Sequence, residues 1–467
     1  MTIRRPLDGM LVLDLGQIYN GPYAGLNLGF MGARVLKIEP PEGDVVRRRK
    51  REVEPWPLVM LNSNKESVVL DLKQPRGKEI FLELVTKADV LIENFAVGVM
   101  DRLGLGYDVL SKLNPRLVYG GSSGFGLDGP YRDLAAMDVT IQAMSGITNA
   151  TGHADGPPTK AGAAVCDFLA GIHLCAGILG ALVQRERTGQ GQRVEVAMHE
   201  AAVIALASAM GAVMDDDTGV PDRTGNRHPA LAMAPYNTYP CSDGYVAIFT
   251  AAERHWQSMC QMLKRPDLAT NPEYASTVAR AKNMAEIDDI VGAWTIGRRK
   301  DEVLKLLNEA HVPCAPVKTA REVSRDPHLE ARGFWVDIDH PRRGKTRVPI
   351  SPIRLHTGGK AEIRSPAPTL GQHTEKVLAE LLGLKAAELA KLRAEHVTEP
   401  VTKRPVLLSV DRHSQNTSHR PSPSVRSTRR CDYDNRPPPC LSRPMPCRPK
   451  AALRFCSAGL FHWPIGT

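Results

Sequence analysis

Short apolar runs separated by amphipathic stretches open the chain. Met10–Gly16 (MLVLDLG), Arg34–Glu39 (RVLKIE), Ser67–Leu72 (SVVLDL), Val90–Glu93 and Arg116–Ser122 each read as strands. Between them, Gly21–Ala33 reads as a turn and helix, and Arg76–Lys87 and Tyr107–Leu113 read as helices. Apolar strands alternating with helices of this length predict βαβ units, hence an α/β fold with a parallel sheet covered on both faces. Phe168–Val183 is apolar all the way round and is expected as a helix buried in the core, too short to span a bilayer. The polar run QRERTGQGQ closes it, and Arg193–Ala197 resumes as a strand.

The texture changes from about Thr224. Tyr236–Pro240, the turn Ser242-Asp243-Gly244 and Tyr245–Thr250 predict a hairpin. Helical patterns follow at His255–Leu263 and Met284–Leu307, so residues 224–320 read as a smaller α+β domain beside a large domain beginning at 5–205. A second hairpin pattern, Phe334–Asp339 with Thr346–Leu355, and two helices over Gly371–Val397 make up residues 321–398. Beyond Thr398 periodicity fails. Residues 399–467 are rich in Pro, Ser and Arg and offer too little apolar burial to offset ordering, so disorder is expected there.

Charge changes little once it is located. The formal +9 comes almost wholly from that tail, where twelve Lys/Arg face four Asp/Glu; the rest carries +1. A nucleic-acid binder is not indicated for the folded part. Five cysteines (Cys166, Cys175, Cys241, Cys260, Cys314) are scattered without paired spacing, and the four in the tail fit no usual zinc module, so no metal site is expected. No signal peptide or membrane span is read. The cytosol is the expected compartment.

Asp167 is the leading candidate for chemistry. It stands where a small-residue segment (AGAAVC) meets the apolar helix, a place where a carboxylate would be held ionised by the helix N-terminus. On spacing alone a structural N-cap is the better reading, though a capping position can also present a reactive oxygen. A parallel sheet binds ligands at the C-terminal ends of its strands, here Gln17–Asn20, Asn94-Phe95 and Ser122–Gly124. No GxGxxG follows the first strand and no Walker lysine occurs, so no dinucleotide or P-loop nucleotide is signalled. Arg47–Arg51 (RRRKR) would suit phosphates if it lay near that crevice, although such runs are usually solvated loops. GGSSG around Ser122 matches G-x-S-x-G, but the sequence after it is broken by Gly and Pro where a nucleophile elbow needs a helix. His173 is expected as a core histidine.

Longer stretches carry a resemblance. LDGMLVLDLGQIYNGPYAGLNLGFMGARVLKIEPPEGD, NSNKESVVLDLKQPRGKE, DVLIENFAVGVMDRLGLGY, NPRLVYGGSSGFGLDGPY and GPPTKAGAAVCDFLAGIHLCAGILGALVQRERTGQGQ are similar to segments of family III CoA-transferases. GNRHP, YPCSDGYVAI, HVPCAPV, DPHLEARGF and LGQHTEKVLAELLG extend the likeness, which covers residues 5–398 in matching order. The group includes formyl-CoA:oxalate, carnitine and bile-acid CoA-transferases.

That resemblance implies a CoA-transferase moving CoA between an acyl-CoA thioester and a free carboxylic acid. Its covalent carboxylate would be Asp167, with coenzyme A as cosubstrate and no permanently bound cofactor. By the same matching, Gln17, Ile18, Tyr19, Asn20, Asn94, Phe95 and Arg102 would touch CoA, with Lys73 a further candidate. It also implies a Rossmann-like large domain built from both ends of the chain, a smaller inserted domain, and an interlocked homodimer. Two features depart from the pattern: no glycine-rich loop lies between Thr224 and Ala251, and Pro40 stands where some members have arginine. Racemases of the same fold carry a histidine where Met137 stands before Asp138, so transfer fits better than racemisation. A non-catalytic acyl-CoA binder is the reading of a different class.

Overall fold

A computed structural model describes residues 5–49, 53–215, 219–357 and 359–401. The tail from 402 onward, with its four cysteines and expected disorder, lies outside the described residues, as do Lys50 and Arg51 of the basic run.

Six strands, β1 (Leu11–Asp14), β2 (Arg34–Glu39), β3 (Lys65–Val69), β4 (Val90–Glu93), β5 (Val118–Ser123) and β6 (Arg193–Ala197), form one sheet in the order β3-β2-β1-β4-β5-β6. All neighbours pair parallel. The chain runs outward from β1 to β3, then returns to β1's other edge with β4. That reversal makes the crevice between the C-terminal ends of β1 and β4 the switch point, where such sheets take ligands.

Strand alternation splits the core. Leu11, Leu13, Leu36, Val68 and Leu91 join one apolar cluster, while Val12, Val35, Val90, Ile92 and Val118 join another on the opposite face. The helices of the first half are α1 (Asn20–Phe30), α2 (Trp56–Asn62), α3 (Pro75–Val85), α4 (Val99–Arg102), α5 (Tyr107–Leu113), α6 (Asp138–Met144) and α7 (Ile147–Ala150). They are followed by the long α8 (Val165–Thr188), then α9 (Met198–Ile204) and α10 (Ala207–Met214). The first cluster takes Ile80, Phe81 and Leu110 from α3 and α5, and also Val377, Leu378, Leu389 and Leu392 from two helices near residue 390. Covering the second are Ala24 and Leu28 of α1 and Leu174, Ile178 and Leu182 of α8.

α8 differs from expectation in length and burial. It begins at Val165, runs 24 residues, and is long and apolar enough by composition to cross a bilayer. Only one side meets the sheet and α1, so the opposite side is open. His173, expected in the core, is exposed there with Val183, and its Nδ1 lies 2.7 Å from the Leu169 carbonyl one turn back. Glycine sets the closest approach: a Cβ on Gly171 would sit 2.7 Å from the Asn20 carbonyl oxygen of α1. Gly171→Ala is therefore expected to push the two helices apart and cost about 1–3 kcal/mol, read as a lowered midpoint in urea.

Residues 236–316 contribute a separate three-stranded sheet, β7 (Tyr236–Cys241), β8 (Gly244–Phe249) and β9 (Cys314–Pro316), both pairings antiparallel. Its cluster, including Tyr239, Val246, Ile248, Trp256, Val291 and Leu307, shares no residue with the clusters of the parallel sheet. The helical pattern Met284–Leu307 breaks into Met284–Thr295 and Lys300–Glu309 around Gly297. β10 (Trp335–His340) and β11 (Gly344–Pro349) form the second hairpin.

Candidate active site

The turn leaving β1 is held from below by charges buried inside the sheet. Asp14 ends β1 wholly buried; its Oδ1 accepts the Gly16 N–H at 2.8 Å. Lys65, also buried, donates to Asp14 Oδ2 at 2.6 Å and to the Pro22 carbonyl at 2.8 Å. Lys37 donates to the Gly16 carbonyl and pairs with Asp44 at 3.1 Å. Asp44 in turn accepts the Ile18 N–H at 3.3 Å, steadying a residue whose φ of +65° is unfavourable for a β-branched side chain. Burial drives the Lys65 ammonium down, to about 8, against the pull of Asp14. For Lys37 burial acts the same way but the carboxylates of Asp44, Asp14 and Glu39 outweigh it, and its pKa is raised.

Across the switch point, the Gln17 N–H donates to Asn94 Oδ1 at 2.7 Å, and Asn94 Nδ2 donates back to the Gln17 carbonyl at 3.0 Å. The structure thus brings Gln17, Ile18, Tyr19, Asn20 and Asn94 together at one crevice. Asn20 is buried, its Nδ2 donating to Ser122 Oγ at 2.8 Å while its Oδ1 has no partner among the described residues. Phe95 follows directly, its N–H donating to Glu93 Oε2 at 2.8 Å. Arg102 is exposed at the end of α4 and Lys73 is exposed beyond β3, and no described contact joins either to the turn. Glu93, pushed up to about 7 by burial, sits with Tyr119 and Arg193 at a solvent-open recess of about 440 Å³ between the ends of β4 and β5. Asp167 does not line that recess.

Asp167 is the third residue of α8 and not its cap. Asp138 of α6 serves that end of the helix: its Oδ2 accepts the N–H groups of Cys166 at 2.9 Å and Asp167 at 3.2 Å, and its Oδ1 accepts from Gln142 at 2.6 Å. Asp167 as a whole residue is 9 % exposed, and among the described residues no donor meets its oxygens. The expectation that the helix end holds it ionised fails here. Burial, reinforced by the negative charge of Asp138 and opposed by Arg49, pushes it up to about 7. Next in the chain, Phe168 stacks on Tyr19 (6.1 Å between ring centroids) and meets Tyr23 edge-on (4.9 Å), which ties the carboxylate's helix to the turn after β1.

The basic run divides. Arg47 is committed to buried carboxylates, with Nε 2.7 Å from Glu39 and Nη1 3.2 Å from Glu54, so it is not free for phosphate. Burial opposes the Glu39 charge, but Arg47 holds that carboxyl down at about 2. Arg49 lies over the Tyr19 ring at 5.7 Å and donates to its hydroxyl at 3.2 Å. Ser122 is the penultimate residue of β5, and no helix follows that strand directly, as its broken flank predicts. Sequence reading passed over Asp14, Lys37, Lys65 and Asp44. For Asp14 and Lys37 the signal was a charge in the interior of MLVLDLG and RVLKIE, strands buried on both faces, whereas Asp44 and Lys65 lie outside both runs.

The profile of CoA-transferase family III matches residues 7–374. Succinyl-CoA–D-citramalate CoA-transferase of Chloroflexus aurantiacus is 38% identical over 401 residues, covering 84% of this chain and 98% of that protein. Formyl-CoA:oxalate CoA-transferase of Streptomyces avermitilis is 37% identical over 413 residues, covering 84% and 99%. Among solved structures, a CAIB/BAIF family protein from Brucella suis superposes with a TM-score of 0.71 at 34% identity, over 81% of this chain and all of that one.

Proposed function

This chain belongs to CoA-transferase family III, and from that premise we propose that it exchanges CoA between an acyl-CoA and a free carboxylic acid through a covalent intermediate on Asp167. The observation that carries the reading is an aspartate 9 % exposed, its oxygens meeting no donor among the described residues, on a helix tied by aromatic contacts to the switch-point turn. A donor-free carboxylate keeps its lone pairs for attack, and burial makes it more basic than an ordinary aspartate.

The steps close without water. An Asp167 oxygen attacks the thioester carbonyl, the C–S bond breaks, and CoA leaves as thiolate from a mixed anhydride. The thiolate then attacks the aspartyl carbonyl carbon, expelling the donor acid as its carboxylate and leaving an aspartyl-CoA thioester. An acceptor carboxylate attacks that carbon, thiolate leaves again, and its return to the acceptor's carbonyl yields the new acyl-CoA and regenerates Asp167. Tyr19, Tyr23 and Phe168 wall the site with rings, which suits intermediates that water would destroy.

CoA is placed along Gln17, Ile18, Tyr19, Asn20, Asn94 and Phe95, with Arg102 and Lys73 as outlying cations for its phosphates. Asn94→Ala removes both hydrogen bonds that hold the Gln17 backbone. It is expected to raise KM for acyl-CoA about tenfold, with kcat changed less; steady-state kinetics with varied acyl-CoA measure the split. Racemisation gains no support, because Asp138, which would be its second acid, spends its oxygens on α8 and Gln142. Residues 224–320 are placed as a smaller inserted domain, consistent with their separate apolar cluster. A homodimer is part of the same proposal, supported by α10, which buries none of its residues and exposes Val213 and Met214. Free thiols at the five described cysteines agree with a cytosolic setting.

The deciding experiment incubates the protein with succinyl-CoA and a panel of free acids, follows new thioesters by mass, and adds hydroxylamine to trap the intermediate. Exchange with a hydroxamate on Asp167 is the expected result. Exchange with the adduct elsewhere, or α-proton exchange alone, would replace this mechanism with another.

A further inference from the structure

We infer that Arg49 receives the second, non-reacting carboxylate of a short dicarboxylic substrate, so that this enzyme selects dicarboxylic over monocarboxylic acids. The inference rests on the proposed exchange at Asp167 and adds the class of acid that enters it.

Arg49 closes the 3₁₀ turn Val45–Arg49, which Val46 and Arg47 anchor. Val46 is buried, its N–H donating to Asp44 Oδ1 at 2.9 Å, and Arg47 is locked between Glu39 and Glu54. Arg49 ends the turn exposed, as Arg48 is, while Val46 is buried. There its guanidinium covers Tyr19, whose ring stacks on Phe168 beside Asp167.

Two facts separate Arg49 from the other cations nearby. Lys37, Arg47 and Lys65 each have a carboxylate within 3.1 Å, and all are buried. Arg49 has no ion pair among the described residues; its partners are a phenol hydroxyl and a ring face. Its field nonetheless reaches Asp167, opposing the rise that burial and Asp138 impose on that carboxyl. An exposed guanidinium fork over the Tyr19 ring, with no ion pair among the described residues, can accept a carboxylate bidentately. That anion cannot be the reacting carboxylate, which must reach the aspartyl carbon. A substrate with a carboxylate at each end satisfies both positions, and the relatives' printed substrates, oxalate and citramalate, are dicarboxylic.

The test compares succinate with butyrate, its counterpart bearing methyl in place of one carboxylate, as acceptors with the same acyl-CoA donor. Wild type is expected to favour succinate. Assayed at about pH 9, where Asp167 is ionised with or without the Arg49 charge, Arg49→Gln should lower kcat/KM for succinate about 10–100-fold, mostly through KM, and lower it far less for butyrate. Arg49→Lys should recover part of the succinate activity, since it restores charge without the fork. Hydroxylamine trapping with butyryl-CoA should still label Asp167 in Arg49→Gln, which a merely structural lesion would prevent. Equal losses for both acids, or no loss for succinate, overturn the assignment. Wild type that takes butyrate as readily as succinate sinks this inference alone; wild type that binds CoA but exchanges no acid sinks the proposed function with it.

Discussion

Asp167→Asn is expected to lose CoA exchange by about 10⁴-fold or more while making the protein more stable at neutral and alkaline pH. The first effect follows from chemistry: asparagine cannot form the anhydride or the aspartyl thioester, and removal of a covalent nucleophile acts on this scale. Stopped assays of thioester exchange and the absence of a hydroxylamine adduct measure it. Acyl-CoA binding should persist, because the residues placed along CoA are untouched.

The second effect comes from linkage. In the unfolded chain Asp167 titrates near its ordinary 3.8, whereas in the fold it does so at about 7. Below pH 3.8 both states hold the proton and the site costs nothing. As pH rises from 3.8 towards 7 the unfolded chain releases a proton that the folded chain keeps, so stability falls; above 7 the full cost, about 4 kcal/mol, is in place. Asparagine never ionises and matches the shape, so the variant should gain up to that amount at pH 8 and little at pH 4. Urea unfolding at the two pH values reads the difference; equal stability of wild type and variant at pH 8 would show that the fold does not resist this charge. The same titration predicts that wild-type kcat/KM rises between pH 6 and 8, as the nucleophile becomes ionised.

The apolar pattern was enough for the sheet. Strand ends at Glu39 and Glu93 fall where the runs end, because residues buried on both faces leave no polar position to blur them; the end at Ala197 also falls where expected, although Arg193 and Glu195 of that strand are exposed. β9 escaped notice since three residues carry no periodicity, and the start of α8 was set too late because Val165 and Cys166 belong equally well to the small-residue segment. The cap on α8 could not be read locally: its acceptor, Asp138, stands 28 residues away from Cys166. Burial decided the protonation of Asp167, and burial is a tertiary quantity. What strand-end logic did reach was the crevice itself, as Gln17 and Asn94 meet although 77 residues separate them. Arg47 and Arg49 were indistinguishable as members of one basic run, since only the 3₁₀ turn sends the first to Glu39 and Glu54 and the second to Tyr19.

Asp14→Asn should destabilise the protein by about 3–5 kcal/mol, the usual cost of stripping one partner from a buried ion pair. The change is nearly isosteric, and Asn Oδ1 can still accept the Gly16 N–H, so the loss isolates charge. Lys65, buried at the start of the edge strand β3, is then left with the Pro22 carbonyl as the one hydrogen-bond partner of its ammonium among the described residues. Its pKa, already down at about 8 with Asp14 present, must fall further. A lysine depressed in the fold costs most when both states are protonated, so the variant's deficit should be largest at pH 6 and shrink as pH rises and the folded lysine sheds its proton. Adding Lys65→Met removes the stranded cation and should return most of the lost stability, because an apolar replacement of a buried pair is often neutral. Function need not return with it: without the ammonium nothing ties β3 to the Pro22 carbonyl, and the Gly16–Asn20 turn that faces Asp167 loses one of its supports. Urea titrations of the single and double variants, with exchange assays on both, separate the two consequences. If the single change is neutral, the buried charges beneath the turn are bystanders and the turn is held by Asn94 and the backbone alone.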